Sequence, residues 1–340
     1  MMFANSLLAL AGGLCLAAAS PLHAYRAANQ TGLPAKTIFQ MNATGTWFEN
    51  IAVRPNGDLL LTTLTISASV YTVKRPYAPH PEASLVHTFD GASGAVGIAE
   101  TKPDTFAVLA AEYEGVGEPV PGTYAVWEIS FKGPAPSVRK ITDFPEAQLA
   151  NGIARVPTCK NDVVLIGDSF AGSLWRLDTQ TGKYESVMQV AQMAAPAGGA
   201  LPLGINGLKV HGGYAYWSNS ARVTLYRTKL DKHGYPAANS TIETVAALDS
   251  DFVDDFTFDE QGLLWVATNG DNKVDVVRAD GSFQTVVGGA TEDTVGGDSS
   301  VAFGRTALDR NILYVSTSGT LPNNRTEPAK VVAVNRAGFH

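Results

Sequence analysis

Asp254-Asp-Phe-Thr-Phe-Asp-Glu-Gln-Gly-Leu-Leu-Trp-Val-Ala-Thr-Asn-Gly-Asp-Asn-Lys-Val-Asp-Val-Val-Arg278 holds three short β-rich runs in succession: Phe256-Thr-Phe-Asp, Leu263-Leu-Trp-Val-Ala-Thr and Lys273-Val-Asp-Val-Val-Arg. Runs rich in β-branched and aromatic residues, broken by turn residues, read as antiparallel strands. The pattern recurs. Ile51-Ala-Val-Arg precedes Asp58-Leu-Leu-Leu-Thr-Thr. Ile153-Ala-Arg-Val precedes Asp162-Val-Val-Leu-Ile-Gly and Ser173-Leu-Trp-Arg-Leu-Asp. Leu208-Lys-Val precedes Tyr214-Ala-Tyr-Trp-Ser-Asn and Thr224-Leu-Tyr-Arg-Thr. Val301-Ala-Phe-Gly precedes Asn311-Ile-Leu-Tyr-Val-Ser. Turns such as Pro55-Asn-Gly-Asp, Thr179-Gln-Thr-Gly and Asp280-Gly-Ser punctuate the runs.

A unit of several antiparallel strands repeated roughly every 45–55 residues has the spacing of propeller blades. The repeats predict an all-β, six-bladed propeller with blades starting near Glu49, Gly97, Asn151, Asn206, Asp254 and Ser299. Blade two is the least regular, because Glu112 to Thr123 is a Gly/Pro/Glu-rich insertion. Ala191 to Leu203 reads as a loop. A ring must close, and Thr37-Ile-Phe-Gln-Met is placed to pair beside Lys330-Val-Val-Ala-Val, which protects an edge otherwise open. First and last strands then share a blade, so 25–340 is expected to be one domain. A β-sandwich with accessory strands is the alternative arrangement.

Composition narrows the function classes. The chain has 340 residues, 45% of them apolar and 17% charged, with a formal charge of -7. It is globular in type, and without a basic run it does not read as a nucleic-acid binder. Leu7 to Ala19 is an apolar run too short for a comfortable span of roughly 20 residues. Small residues follow it, which predicts a signal peptide over 1–20 with cleavage between 19 and 24. No membrane span then remains, and the secretory pathway or the exterior is the expected location. Asn29, Asn42, Asn239 and Asn324 head Asn-x-Ser/Thr sequons, as a glycoprotein would. Cys15 would leave with the leader, so Cys159 has no partner for a disulfide and reads as a buried structural thiol.

The residue before each innermost strand faces the shared channel. Glu49, Asn151, Asn206 and Asp254 recur at that position, with Ser299 in the last blade. Two carboxylates and two amides converging on one axis suit a hard cation such as Ca²⁺, and equally suit acid–base work. Asn and Asp also serve as turn residues. Turn duty does not require one phase in four blades. Asp255 adjoins Asp254, so one side chain is expected to face the channel while the other bonds backbone.

Glu49-Asn50-Ile-Ala-Val-Arg, Asn151-Gly-Ile-Ala, Gly167-Asp168-Ser, Gly204-Ile-Asn206-Gly, Asp254-Asp255-Phe and Ser300-Val-Ala-Phe-Gly together resemble the gluconolactonase-like propellers over nearly the whole mature chain. The resemblance implies a divalent metal held by Glu49, Asn151, Asn206 and Asp254. Asp255 departs from it, because the lactonases usually carry Gly after the Asp. The Glu-Asn-Ile-Ala-Val-Arg and Asp-Asp-Phe versions, with the leader, more closely resemble a secreted fungal branch. That branch includes the hetero-Diels–Alderases of tropolone–sesquiterpenoid biosynthesis. It implies a secondary-metabolite cyclase with small-molecule partners, joining a polyketide tropolone o-quinone methide to a humulene-type sesquiterpene to give a meroterpenoid. Such a cyclase requires no cofactor; holding the two reactants in a reactive pose is its main task. Glu49 or Asp255 would act as general acid or base on a hydroxymethyl precursor, and Asn151 and Asn206 would polarise a carbonyl. Trp47, Phe48 and Trp217, with Ser299, would line the substrate pocket.

Two other classes stay open: a metal-dependent lactonase, and a non-enzymatic propeller that binds a ligand. Gly167-Asp168-Ser169 ends a strand in mid-chain, which does not suit a hydrolase nucleophile. The sequence has no Gly-x-Ser-x-Gly elbow, no His-Glu-x-x-His and no phosphate loop. His211 and His233 read as loop residues.

Overall fold

The computed structural model describes residues 32–158, 160 and 162–339. The expected leader, Asn29, Cys15 and Cys159 lie outside the described residues. Six four-stranded antiparallel sheets form the ring. Blade one comprises Phe48–Val53, Leu59–Thr63, Ser69–Lys74 and Glu82–Thr88. Blade two comprises Gly94–Lys102, Thr105–Ala111, Ala125–Ser130 and Ser137–Asp143. Ala150–Val156, Val163–Asp168, Ser173–Asp178 and Tyr184–Gln189 make blade three. Ile205–His211, Tyr214–Asn219, Thr224–Lys229 and Glu243–Ala247 make blade four. Phe256–Phe258, Leu264–Ala267, Lys273–Val277 and Phe283–Gly288 make blade five. Blade six takes Asp298–Phe303, Ile312–Thr317 and Lys330–Asn335 from the C-terminal end and Ala35–Gln40 from the N-terminal end. Ala35 pairs with Val334 and Gln40 with Lys330, so the expected closure is present and a sandwich is excluded.

Burial explains the strand sequences. Second strands such as Leu59–Thr63, Thr105–Ala111 and Leu264–Ala267 are buried along their whole length, because neighbouring blades cover both faces. They therefore read as unbroken apolar runs rather than alternations. Outer strands such as Ser137–Asp143 face solvent and are mixed. The six apolar clusters fall one to each blade interface. The blade-two insertion folds as a small hairpin, Tyr113–Gly115 with Glu118–Pro119, above the channel mouth.

One local feature positions the site. The first strand of each blade bulges near its start, between Phe48 and Asn50, Ala95 and Ile98, Ala150 and Ile153, Ile205 and Leu208, and Asp298 and Ser300. In blade five Asp254 N donates to Ala267 O (2.9 Å) and Ala267 N donates to Asp255 O (2.9 Å), so two residues oppose one. A bulge leaves an extra residue unpaired and re-aims its side chain.

Candidate active site

Aligned on these bulges, two rings of residues surround the axis. The upper ring is Glu49, Val96, Asn151, Asn206, Asp254 and Ser299. The lower ring is Asn50, Gly97, Gly152, Gly207, Asp255 and Ser300. Blade two thus contributes Val96 to the upper ring, one residue before the expected Gly97. The glycines allow the blades to close in. A Cβ on Gly97 would lie 2.1 Å from Asn151 O, and one on Gly152 the same distance from Asn206 O.

The upper ring is a buried polar cluster. Asn151 Nδ2 donates to Glu49 Oε1 at 3.4 Å. Asn269 Nδ2 donates to Asp254 Oδ2 at 2.8 Å. Asn206 Nδ2 donates to Ser220 Oγ at 3.0 Å, which leaves Asn206 Oδ1 buried without a partner among the described residues. Burial pushes the Glu49 carboxyl up to about 7, and the Asp255 charge adds to that, against the Trp47 and Asn151 side chains. The Trp47 indole N–H is close enough to favour the carboxylate but makes no hydrogen bond of ordinary geometry. Asp254 is held well above the usual carboxylate range, by burial first and then by the Glu49 and Asp255 charges. Two carboxyl groups out of water, with Asp254 in the field of Glu49, both resist ionisation.

Asp255 is differently placed. Its Oδ1 meets Lys209 Nζ at 2.5 Å and accepts from Phe256 N at 2.8 Å. Its Oδ2 accepts from Ser300 Oγ at 2.7 Å and Asn50 Nδ2 at 3.2 Å. Both oxygens are occupied, and the group ties blades one, four, five and six together below the upper ring. The adjacent Asp pair therefore divides its duties.

The residues expected to line the pocket separate. Trp47 is half-buried at the mouth. Ser299 is buried, donating to Phe48 O at 2.5 Å. Phe48 and Trp217 are fully buried in the interfaces between blades six and one and blades three and four, where packing accounts for them. Trp217 also donates its indole N–H to Gln192 O at 3.1 Å. Ser169 is buried with its hydroxyl committed to Ile205 O. His211 stacks on Phe258, with ring centroids 4.2 Å apart.

Sequence reasoning missed Tyr113. Its hydroxyl lies 2.7 Å from that of Tyr124, and burial together with the Glu49 charge raises both phenols. Tyr113 packs against the cluster that contains Val96, so a phenol stands in the blade that lacks a polar ring member. The insertion was visible in sequence, but it falls outside the repeat that identified the other positions.

Among the described residues no group of three or more His, Cys, Asp or Glu side chains is placed to hold a metal. The mixed set of Glu49, Asn151, Asn206 and Asp254 does fit a hard cation. It offers two carboxylates and a free amide oxygen, and a cation would favour the ionised forms that burial first, and neighbouring charge second, disfavour. No described helix is long and apolar enough to cross a membrane. Of the sequons, Asn42, Asn239 and Asn324 are exposed.

No protein-family model matches the chain. A Sarocladium schorii protein whose name assigns it as hetero-Diels-Alderase asR5 is 33% identical, over 91% of this chain and 85% of its own. A Phoma protein, also assigned by name as a hetero-Diels-Alderase, is 34% identical over 92% of this chain and 93% of its own. The chain belongs to the hetero-Diels–Alderase family. As a member it is a pericyclase, an enzyme that acts on small molecules. Solved structures extend the likeness in fold alone. A luciferin-regenerating enzyme superposes with TM-score 0.63 at 16% identity, covering 90% of this chain and 96% of that one. A Xanthomonas campestris gluconolactonase superposes with TM-score 0.58 at 14% identity, covering 88% and 89%.

Proposed function

We propose that the enzyme joins a tropolone-type o-quinone methide to a humulene-type olefin by hetero-Diels–Alder cycloaddition at the propeller mouth. The observation that carries this reading is a buried pair of carboxyl groups, Glu49 and Asp254, set in a ring with amide and phenol donors, in a chain of this family. Cycloaddition needs no nucleophile. The oxygen-containing diene and the alkene exchange π bonds for one new C–C and one new C–O bond, with no atom lost. Positioning alone contributes about 7–11 kcal/mol in well-oriented reactions. Asn151 and Tyr113 would donate hydrogen bonds to the diene oxygen, which draws electron density from the diene and quickens attack by an electron-rich alkene.

The same site can generate the diene. In a hydroxymethyl-tropolone the benzylic-type C–O bond breaks, its oxygen takes a proton from the Glu49 carboxyl, and the ring hydroxyl gives up its own to the Glu49 carboxylate so formed. Water leaves and the o-quinone methide remains. A carboxyl group titrating near neutrality suits both halves of that exchange. Asp255, with both oxygens engaged, anchors the ring and sets the field around Glu49. Leader-like residues and exposed sequons support passage through the secretory pathway.

The test is product formation from hydroxymethyl-tropolone and a humulene-type olefin, with and without protein and EDTA. One stereoisomer formed faster than in the spontaneous reaction is expected, and an unchanged rate would remove the assignment. The unpartnered Asn206 Oδ1 favours a second reading. A divalent cation held by Glu49, Asn151, Asn206 and Asp254 would supply Lewis-acid polarisation of a carbonyl, as a lactonase needs. Calcium-dependent opening of a lactone panel, abolished by EDTA, would support it.

A further inference from the structure

Ile66 sits on the loop between the second and third strands of blade one, with φ at +73° and 71% of its surface exposed. Both features work against folding. A β-branched side chain in the left-handed region crowds its Cβ against the backbone, and an exposed one forgoes burial. The corresponding turns of blades three, five and six meet the same need with Gly172, Asn269 and Asn272, and Gly319. Blade four also uses a β-branched residue, Val223 at φ +51°, but Val223 packs against the apolar cluster between blades four and five. Ile66 has no such compensation. Nor is its loop loose. Leu64 N donates to Trp47 O at 3.0 Å, and Thr65 Oγ1 donates to Gly45 O at 2.7 Å.

The neighbouring loops continue the pattern. Val116, 54% exposed, stands in the turn of the hairpin that begins with Tyr113. Phe170, 39% exposed, stands on the equivalent turn of blade three. The same loops of blades four to six carry Arg222, Asp271 and Asn323. Blades one to three thus each raise one exposed apolar side chain on this rim, Val116 between the exposed Glu114 and Glu118. This apolar arc rises from the blades that supply Glu49, Tyr113 and Asn151.

The geometry points to Ile66, with Val116 and Phe170, as the lip that binds the hydrocarbon olefin, while the oxygenated diene lies over the ring below. This rests on the cycloaddition reading. Strain at a position where Gly would serve folding better is retained because the side chain has a ligand to meet. Stability and binding should then move in opposite directions on substitution.

The experiment uses the full chain with Ile66→Gly, and Val116→Ser as a second variant. Ile66→Gly is expected to raise the melting temperature by about 1–2 °C. It should raise KM for the olefin about tenfold, the loss of one good apolar contact, and leave KM for the hydroxymethyl-tropolone unchanged. An unchanged olefin KM in both variants overturns the inference, as does an equal rise in both KM values. Binding of humulene itself, followed by tryptophan fluorescence, separates this from failure of the reaction assignment. If wild type binds humulene, catalyses nothing, and Ile66→Gly binds it about tenfold more weakly, the lip stands and the reaction assignment falls. Loss of binding to neutral phosphatidylcholine vesicles with an unchanged olefin KM would assign the arc to a lipid surface and overturn the proposal.

Discussion

Glu49 and Asp254 are carboxyl groups removed from water, with Asp254 in the field of Glu49. Folding therefore favours their protonated forms, which fixes the sign of their pH dependence. Glu49 contributes stability that is fully present below its ordinary pKa of 4.5 and is lost as pH rises through about 7. Glu49→Gln keeps the shape and removes the charge. With EDTA present it should be more stable than wild type at pH 8, by on the order of 2 kcal/mol, and nearly equal to it at pH 4. Urea unfolding at both pH values reads this directly. The same variant should lose roughly 10²-fold in rate from the hydroxymethyl precursor. It should keep most of its rate when the o-quinone methide is generated chemically, because cycloaddition needs no proton from Glu49. Lys209 behaves oppositely. Lys209→Met strands Asp255 as a buried, unbalanced charge and should destabilise the ring by about 3 kcal/mol.

At the scale of the element, the bulge in each first strand converts six repeats into two concentric rings, and the lower ring tolerates side chains only where they can bond one another. Gly152 sits where the next blade's backbone approaches most closely. Gly152→Ala would set a Cβ 2.1 Å from Asn206 O, a backbone atom that cannot swing aside, and should cost about 3 kcal/mol. Gly133→Ala, with only Ala135 O at 3.4 Å, should stay within about 0.5 kcal/mol in the same thermal melts. The blade-two hairpin acts on chemistry instead. Tyr113→Phe removes the hydroxyl that bonds Tyr124 and should lower kcat about tenfold, with the melting temperature held within about 2 °C. These contrasts also show what could be read in advance. Glu49, Asn151, Asn206 and Asp254 were legible because a bulge repeats in phase, and phase survives in sequence. Tyr113 was not, since an insertion has no counterpart to align with. Phe48 and Trp217 adjoin or match recognisable strands, but which face of a sandwiched strand meets the axis depends on the bulge, and the bulge is a three-dimensional event.

Closure decides whether the ring exists as a whole. The pairing of Ala35–Gln40 with Lys330–Asn335 was legible because both segments are short β-rich runs left over once the other blades are assigned. It joins residues nearly the full chain apart, so folding must close that loop late and cannot finish blade six without it. The closing strand also completes the apolar packing. Ile38, Phe39 and Met41 lie against the cluster between blades six and one, which contains Phe48. Gln40 Nε2 reaches Glu327 Oε2 at 3.0 Å, which fixes the strand to the top loop of blade six. A chain beginning at Met41 would lose this strand while retaining every ring residue. The edge of Lys330–Asn335 would then be open, a template for pairing with another chain. The truncated protein should melt at least about 10 °C lower, as loss of the half-buried Ile38 and Phe39 and of the closing ladder implies, and should elute from gel filtration as dimers or larger species. Because Phe48 flanks Glu49, the activity lost should exceed what the unfolded fraction at the assay temperature explains. A truncated monomer with the wild-type melting temperature and rate would show that five complete blades hold the site without the clasp.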